Sequence, residues 1–467
     1  MSPLLISYWA EQSAPAPQGM GRRGFLQGAA GLLPLGAGTG LIAAYAPSAH
    51  ALPERTLAFP RDHGAHSDFA TEWWYVTGYA SAVSNKGDLR DFGFQVTFFR
   101  KSIPTTQGMA SQFAAKHIVF AHAALTDVQG KKLYHDQRIA RTGFGIAQAS
   151  EATTDVKLRD WTLRRLDAVQ AAPSQATALQ ASGGQTKNTK IDSKLSPYDA
   201  DIALKNLKNY QTDIVAADFS LNLTFSPTQP LLLQGKQGLS RKGPDPAQAS
   251  YYYSQPQLAV SGSVSLKGET FKVLGSGAAP SPDANPAANP AANPAANPAA
   301  SPFASSVRTL PPSAPRAWLD HEWSQALLHP DAVGWDWIGM NLYDGSAVTA
   351  FQLRKKDGTA LWTGGSFRTP SSSGLQSFIA KPFEVQFSPQ RRWTSPRTRA
   401  VYPTKWMVRT AADFYIIEAV IDAQEMGTTS GSDTVYWEGL ANCHDSNGKL
   451  VGRGYLEMTG YAAPLRL

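Results

Sequence analysis

Residues 72–80 read EWWYVTGYA, and after the turn signal SNKGD residues 91–102 read DFGFQVTFFRKS. Side chains of an extended strand alternate between two faces. That rule puts Glu72, Trp74 and Val76 on one face and Trp73, Tyr75 and Thr77 on the other. Both faces carry aromatic residues, so both are expected to be covered, as in a strand between a barrel interior and a second packed layer. The same alternation recurs in FSLNLTFSP (219–227), QLAVSGSVSL (257–266), FYIIEAVIDA (414–423) and GYLEMTGYA (454–462). The turn signals DVQGKK, YDGS, KKDGT and DSNGK separate such runs. No helical period is sustained for more than three turns, and one short helix is expected at AQASEATTD (147–155). The class this predicts is all-β, a sandwich or barrel.

The opening pattern returns later. GWDWIGMNLYDGSAVTAFQLRKKD (334–357) repeats the aromatic strand, the turn, and Phe-Gln-aliphatic leading to Arg-Lys. AALTDVQGKKL (123–133) is matched in turn by LANCHDSNGKLV (440–451), in the same order. Two similar β-units are therefore expected, over 52–256 and 257–467. Two stretches interrupt them. Residues 168–199 are Ala, Gln, Ser and Lys with almost no large apolar residue, and residues 276–315 carry a repeat of Asn-Pro-Ala-Ala. Neither can build a core, so both read as insertions between strands.

Of 467 residues, 42% are hydrophobic and 17% charged, enough for sizeable cores. The net charge of +7 is scattered, with its densest points at SRKGPDP (240–246) and RRWTSPRTR (391–399), which reads as a solvated surface and not a nucleic-acid face. The single cysteine, Cys443, excludes an intramolecular disulfide and a cysteine metal site. Residues 1–51 read as an export leader: Gly21-Arg-Arg-Gly-Phe-Leu-Gln27, an uncharged stretch, then Ala49-His50-Ala51 as a cleavage pattern. The paired arginines are of the twin-arginine (Tat) type, so the mature protein is expected in the periplasm or outside the cell, meeting the membrane only through its leader.

The chemistry-bearing residues lie among indoles. AWLDHEWS (317–324) places Trp318, Asp320 and Glu322 on one face and Leu319, His321 and Trp323 on the other. A carboxyl beside indole and away from water has its pKa raised and can serve as a general acid near neutral pH. Asp320 or Glu322 is the expected acid, and His321 its partner or the base that orients water. Trp73, Trp74, Tyr75, Trp323, Trp335 and Trp337 are the expected walls of a ligand site. His321-Glu322 does not begin H-E-x-x-H, because position 325 is Gln. DHGAHSD (62–68) could hold zinc but reads better as a turn with solvated or capping side chains. No metal or other cofactor is expected. No G-x-S-x-G elbow or phosphate loop is present.

Six blocks in order resemble one family: FPRDHGAHSDFATEWWYVTGYA (59–80), YYYSQPQLAVSGSVSL (251–266), AWLDHEWSQALL (317–328), GWDWIGMNLYDG (334–345), YWEG (436–439) and GRGYLEMTGY (452–461). They are similar to the lipocalin-like family of AttH and carotenoid 1,2-hydratase (CrtC). The resemblance implies two calycin-type antiparallel β-barrels packed together, with the Asn-Pro repeat inserted just before the AWLDHEWS strand. For the hydratase relatives it implies water addition to an isolated C=C bond, with His321 and Trp323 matching a His-x-Trp of the site. Tyr343 and Asp344 match a downstream Tyr and Asp. Other relatives guide cyclisations by shape, so fold alone does not choose the reaction. The expected ligand is an apolar terpenoid-, polyketide- or lipid-like small molecule, subject to acid-assisted hydration or hydrolysis. The alternative is a non-catalytic carrier or chaperone serving an envelope ABC transporter; a third reading has both barrels filled by their own side chains.

Overall fold

The computed structural model describes residues 51–111, 113–166, 208–275, 314–325, 328–371, 374–410, 413–427 and 435–465. The expected leader, apart from Ala51, and both insertions, apart from Ala314 and Pro315, lie outside these residues. The first barrel is built from β1 (Thr71–Ser84), β2 (Leu89–Ser102), β3 (His117–Asp127), β4 (Lys132–Arg141), β5 (Ala147–Ala149), β6 (Asp155–Leu158), β7 (Trp161–Arg165), β8 (Tyr210–Val215), β9 (Phe219–Ser226), β10 (Leu232–Leu233), β11 (Leu239–Arg241), β12 (Ala249–Leu266), β13 (Glu269–Val273) and β14 (Arg316–Ser324). The second is built from β15 (Gly334–Leu342), β16 (Ala347–Arg354), β17 (Ala360–Ser371), β18 (Gly374–Ile379), β19 (Gln386–Thr394), β20 (Val401–Arg409), β21 (Phe414–Ala419), β22 (Glu425–Met426), β23 (Tyr436–His444) and β24 (Leu450–Thr459).

Every ladder is antiparallel, and the two sheets share one wiring. The first runs β4-β3-β2-β1, then β13 and β14, then β12-β9-β8-β7-β6-β5; the second runs β18-β17-β16-β15-β24-β23-β21-β20-β19. In each, a four-strand meander opens the unit and the last strand closes beside the first. The duplication read from the sequence is therefore present, but its boundary is not at 256. Residues 257–324 complete the first sheet, and the second begins at Gly334. The last strand must return to the first strand's edge to close a barrel, so the first unit needs β12, β13 and β14. The short helix expected at 147–155 is also absent. Ala149 pairs with Val156, and the Ser150 N–H donates to Asp155 O at 3.0 Å, closing a hairpin turn. Ser and Thr there bond locally and favour the turn over the helix.

β13 and β14 are two pieces of one line. On β1, Val273 lies opposite Ala82 and Arg316 opposite Tyr79, and the Leu274 N–H extends the ladder to Ser81 O at 3.0 Å. The Asn-Pro insertion leaves and rejoins this line as the resemblance implied.

The first barrel's interior is filled by its own side chains, among them Trp74, Phe94, Phe98, Trp161, Phe225 and Trp323. The second encloses Ile338, Met340, Tyr402, Trp406, Trp437 and Leu456. Between the barrels, the outer faces of β1 and β14 meet those of β15, β23 and β24 in a third cluster that includes Tyr75, Trp318, Trp337, Leu440 and Tyr455. Gly93 permits the approach: a Cβ there would meet Leu440 Cβ and the Tyr455 hydroxyl, each at 2.9 Å. A bulge in β12 pins the two units. Gln257, at φ 57°, donates its N–H to Asn341 Oδ1 at 2.8 Å and its amide to Leu342 O at 2.9 Å and Ser346 O at 2.8 Å.

Candidate functional site

Strand parity separates the chemistry of β14 into two faces, as the alternation predicted. His321 and Trp323 point into the first barrel, and Trp318, Asp320 and Glu322 point toward the second.

The inner face is a closed ionic network. The segment Arg61–His66 folds across the barrel end; Gly64 packs so tightly that a Cβ would meet Glu151 O at 2.1 Å, and the Ala65 N–H donates to Ser150 O at 2.7 Å. This carries His66 to Glu72, the hub. Glu72 Oε1 faces His66 Nδ1 at 2.8 Å and His321 Nε2 at 2.9 Å, and Oε2 accepts from Arg100 Nε at 3.0 Å and the His66 backbone N–H at 2.9 Å. His66 Nε2 meets Asp62 Oδ1 at 3.1 Å. Burial would raise the Glu72 carboxyl, but the hydrogen bonds and charges of His321 and His66 hold it far below the usual range. Burial would likewise lower His66, yet Asp62 and Glu72 raise it, which favours its charged form. Burial outweighs Glu72 at His321 and lowers its pKa, which leaves the ring neutral. Its Nε2 then donates to Glu72, and its Nδ1 accepts from the Tyr253 hydroxyl at 3.1 Å. Trp323 stacks on His66 at 3.7 Å, and Trp74 lies against His321 at 4.9 Å.

One ligand atom each of His66, Glu72 and His321 lie within 4.8 Å of one another, a donor set zinc accepts. The two carboxylates already have cations without an ion: Arg100 pairs with Glu72 and Arg55 with Asp62, and His66 bridges the two carboxylates. A divalent cation held by Glu72 would sit beside the Arg100 guanidinium. The network reads as a structural lock on the barrel end, and the DHGAHSD segment belongs to it. Asp62, His63 and His66 are buried, against the solvated turn that was expected; Asp68 alone of its titratable residues is exposed.

The outer face gathers several carboxyls at one end, while its arginines, Arg316 and Arg453, stand by Tyr79 at the other. Asp320 accepts from Trp318 Nε1 and Ser254 Oγ, each at 2.6 Å, and from the Tyr252 hydroxyl at 2.7 Å. Burial nonetheless raises it to about 7. Glu322 is bonded by Ser250 and by Lys242 Nζ at 3.0 Å, and that ammonium also lies over the Tyr252 and Phe351 rings. Facing them across the interface are two glutamates that sequence reading missed. Glu438 and Glu457 are direct cross-strand partners in β23 and β24. Partners in that position have Cβ atoms about 5 Å apart, so the two carboxyls cannot both ionise cheaply. Burial and the charge of Glu457 raise Glu438 well above the usual range, and burial, with Asp320 and Glu322 adding charge, raises Glu457 to about 7. Tyr75 stands beside Glu438, raised by burial and by these carboxyls. Neither the Tyr75 hydroxyl nor Glu438 Oε1 has a well-formed hydrogen-bond partner. Trp73, Trp335 and Glu457 are half-buried, so the cluster reaches the surface at their end.

The structure thus brings Asp320, Glu322, Trp73, Tyr75, Trp335 and Trp337 to one interface and places His321, Trp74 and Trp323 behind the sheet. Tyr343 and Asp344 join neither group. They lie in the turn after β15, and Asp344 is exposed, seven residues or about 23 Å along the chain from Trp337. Its carboxylate closes that turn, accepting from the Ser346 N–H at 2.8 Å and Ser346 Oγ at 3.1 Å. Asp344→Ala is expected to leave ligand handling unchanged and cost about 1 kcal/mol or less in urea unfolding. The signal that could have found the glutamates is in YWEG and GYLEMTG. Each has a carboxylate at the same parity as neighbouring outward aromatics, but their pairing is set by register across strands. A cavity of about 320 Å³ in the second barrel, lined by Phe367, Phe378, Ala380 and Val385 among others, has no titratable lining residue. It offers room but no acid chemistry.

The fold and site define a tandem lipocalin-like double barrel with a carboxyl-rich face between its units. The AttH-like family model matches residues 50–197, 174–279 and 314–461, and the chain belongs to that family. A crystal structure described as AttH, from Nitrosomonas europaea, is 36% identical with TM-score 0.64, covering 88% of this chain and 99% of that one. Kievitone hydratase from Nectria haematococca is 11% identical with TM-score 0.54, covering 87% of this chain and 94% of that one, and shares the fold. A comparison with curated proteins finds no match.

Proposed function

We propose that this is an exported hydratase-type protein that binds an apolar small molecule between the barrels and adds water to an isolated C=C bond. The observation that carries this reading is the Glu438–Glu457 pair, two opposed carboxyls with raised pKa beside Trp335 and Trp337. Kievitone hydratase, which shares the fold, acts as a hydratase by its name, in keeping with the reading.

The pair holds about one proton over the neutral range, as opposed carboxyls do. The protonated member gives its proton to one alkene carbon, and the C=C π electrons form the new C–H bond. The cation left on the other carbon lies against indole faces, whose π charge stabilises it. A water oxygen bonds to that carbon and loses a proton to the other carboxylate. The pair ends with the proton count it began with, and the net change is addition of water. Asp320 is already held by three donors, so its part is to fix Tyr252, Ser254 and Trp318. The acid role expected for Asp320 or Glu322 passes to the opposed pair.

The test begins with native mass spectrometry to identify a co-purified ligand. Turnover of a terpenoid with a trisubstituted alkene in ¹⁸O-water should then give product carrying one ¹⁸O. Glu438→Gln and Glu457→Gln are each expected to lower kcat by about 100-fold or more, and Asp320→Asn by less. Tight binding with no product, unchanged in both glutamine variants, would make the protein a carrier instead.

A further inference from the structure

The Tyr75 hydroxyl and Glu438 Oε1 lie beside each other on the inter-barrel face, each without a well-formed hydrogen bond, on side chains 6% and 2% exposed. They offer one donor and one acceptor side by side. A hydroxyl satisfies both, accepting from Tyr75 and donating to Glu438, whereas an ionised carboxylate can only accept. Charge points the same way. Three carboxyls, Asp320, Glu438 and Glu457, share this face, and its lysine, Lys242, is already bonded to Glu322. The other charged pair nearby, Asp336 with Arg354 at 2.8 Å, is closed on itself inside the second barrel.

We infer that the site is charge-selective: it takes an uncharged ligand bearing a hydroxyl at its polar end and turns away carboxylates and phosphates of the same carbon skeleton. Glu438 and Glu457 impose the selection, and Tyr75 with Glu438 holds the hydroxyl. This rests on the reading of the inter-barrel face as the ligand site. A fatty-acid or acyl-phosphate carrier needs a cation at the polar end of its ligand; the arginines of this face, Arg316 and Arg453, stand by Tyr79, four residues along β1 from Tyr75.

A matched pair of probes tests it, 1-decanol and decanoate, titrated by calorimetry into the full chain at pH 8. The alcohol is expected to bind about 30-fold tighter or more, since an added anion would sit among unscreened carboxyls. In the double variant Glu438→Gln/Glu457→Gln the gap should narrow to about threefold or less, through a gain in decanoate affinity. Tyr75→Phe should weaken the alcohol and leave decanoate unchanged. Equal binding of the two probes, or a preference that survives the double variant, overturns charge selection while leaving the ligand site in place. Binding of neither probe overturns the site reading and the selection with it. The glutamine side chains keep the shape of the pair and are expected to leave the fold at least as stable as the wild type at pH 8, so a failure to fold is visible separately in urea unfolding.

Discussion

Glu72→Ala is expected to be the most damaging single change in the chain, lowering unfolding stability by roughly 3–5 kcal/mol. Glu72 is fully buried and is the anion that Arg100, His66 and His321 all converge on. Its loss strands the Arg100 guanidinium, itself 2% exposed, with only the His66 and Phe69 carbonyls and the His117 ring as neighbours. Urea unfolding at pH 6 should show the midpoint falling while the slope stays constant. The pH window follows from the two shifts. His66 has a raised pKa, so its contribution is complete below 6.5 and fades as pH climbs through the raised value. Glu72 has a depressed pKa, so its contribution is complete above 4.5 and fades as pH falls toward the depressed value. The variant should therefore differ most from the wild type between about pH 4.5 and 6.5. A loss under about 1 kcal/mol there would mean that the network contributes little to holding the barrel end shut.

Glu438→Gln should act in the opposite direction, stabilising the fold at pH 8 by about 2–3 kcal/mol while removing turnover. A carboxyl whose folded pKa lies above its unfolded one carries no penalty at acid pH. The penalty grows once pH passes the unfolded value, 4.5 for Glu, and levels off only above the folded value, which for Glu438 lies well above that. Glutamine has no proton to lose and relieves the repulsion across β23 and β24. Wild type and variant should thus converge near pH 4.5 and separate by pH 8. A variant less stable than wild type at both pH values would show that the opposed carboxyls are not in conflict.

Much of this was legible from alternation alone. Period two assigned His321 and Trp323 to one side of β14 and Asp320 and Glu322 to the other, because parity is a local property of an extended chain. The Asn-Pro repeat was recognisable as an insertion because nothing in it can be buried. The duplication showed through EWWYVTG and GWDWIGM, and the barrels repeat one device there. An inward carboxylate, Glu72 or Asp336, precedes an outward tryptophan and pairs with an arginine near the end of the next strand, Arg100 or Arg354. What parity cannot supply is which residues stand opposite. Glu438 and Glu457 became a pair only when β23 and β24 took their register. Asp62 and His66 looked like turn residues because their partner, Glu72, belongs to the adjoining strand's interior. Tyr343 and Asp344 misled for the opposite reason, being adjacent in sequence but carried by the turn to the far end of β15.

The split line of β13 and β14 bears on how the chain tolerates its long excursion. Leu274 bonds opposite Ser81, and Arg316 resumes opposite Tyr79, two residues further down the same neighbour. The ends of the excursion are therefore held close together whatever its length. The free energy of bringing the two ends of a connection together grows only as the logarithm of its length, so about 40 residues in place of about four cost roughly 2 kcal/mol. Such a place is nearly indifferent to added sequence. Replacing the excursion with a short glycine turn should raise stability by about that amount, and new chain termini opened there should leave both barrels joined as they are.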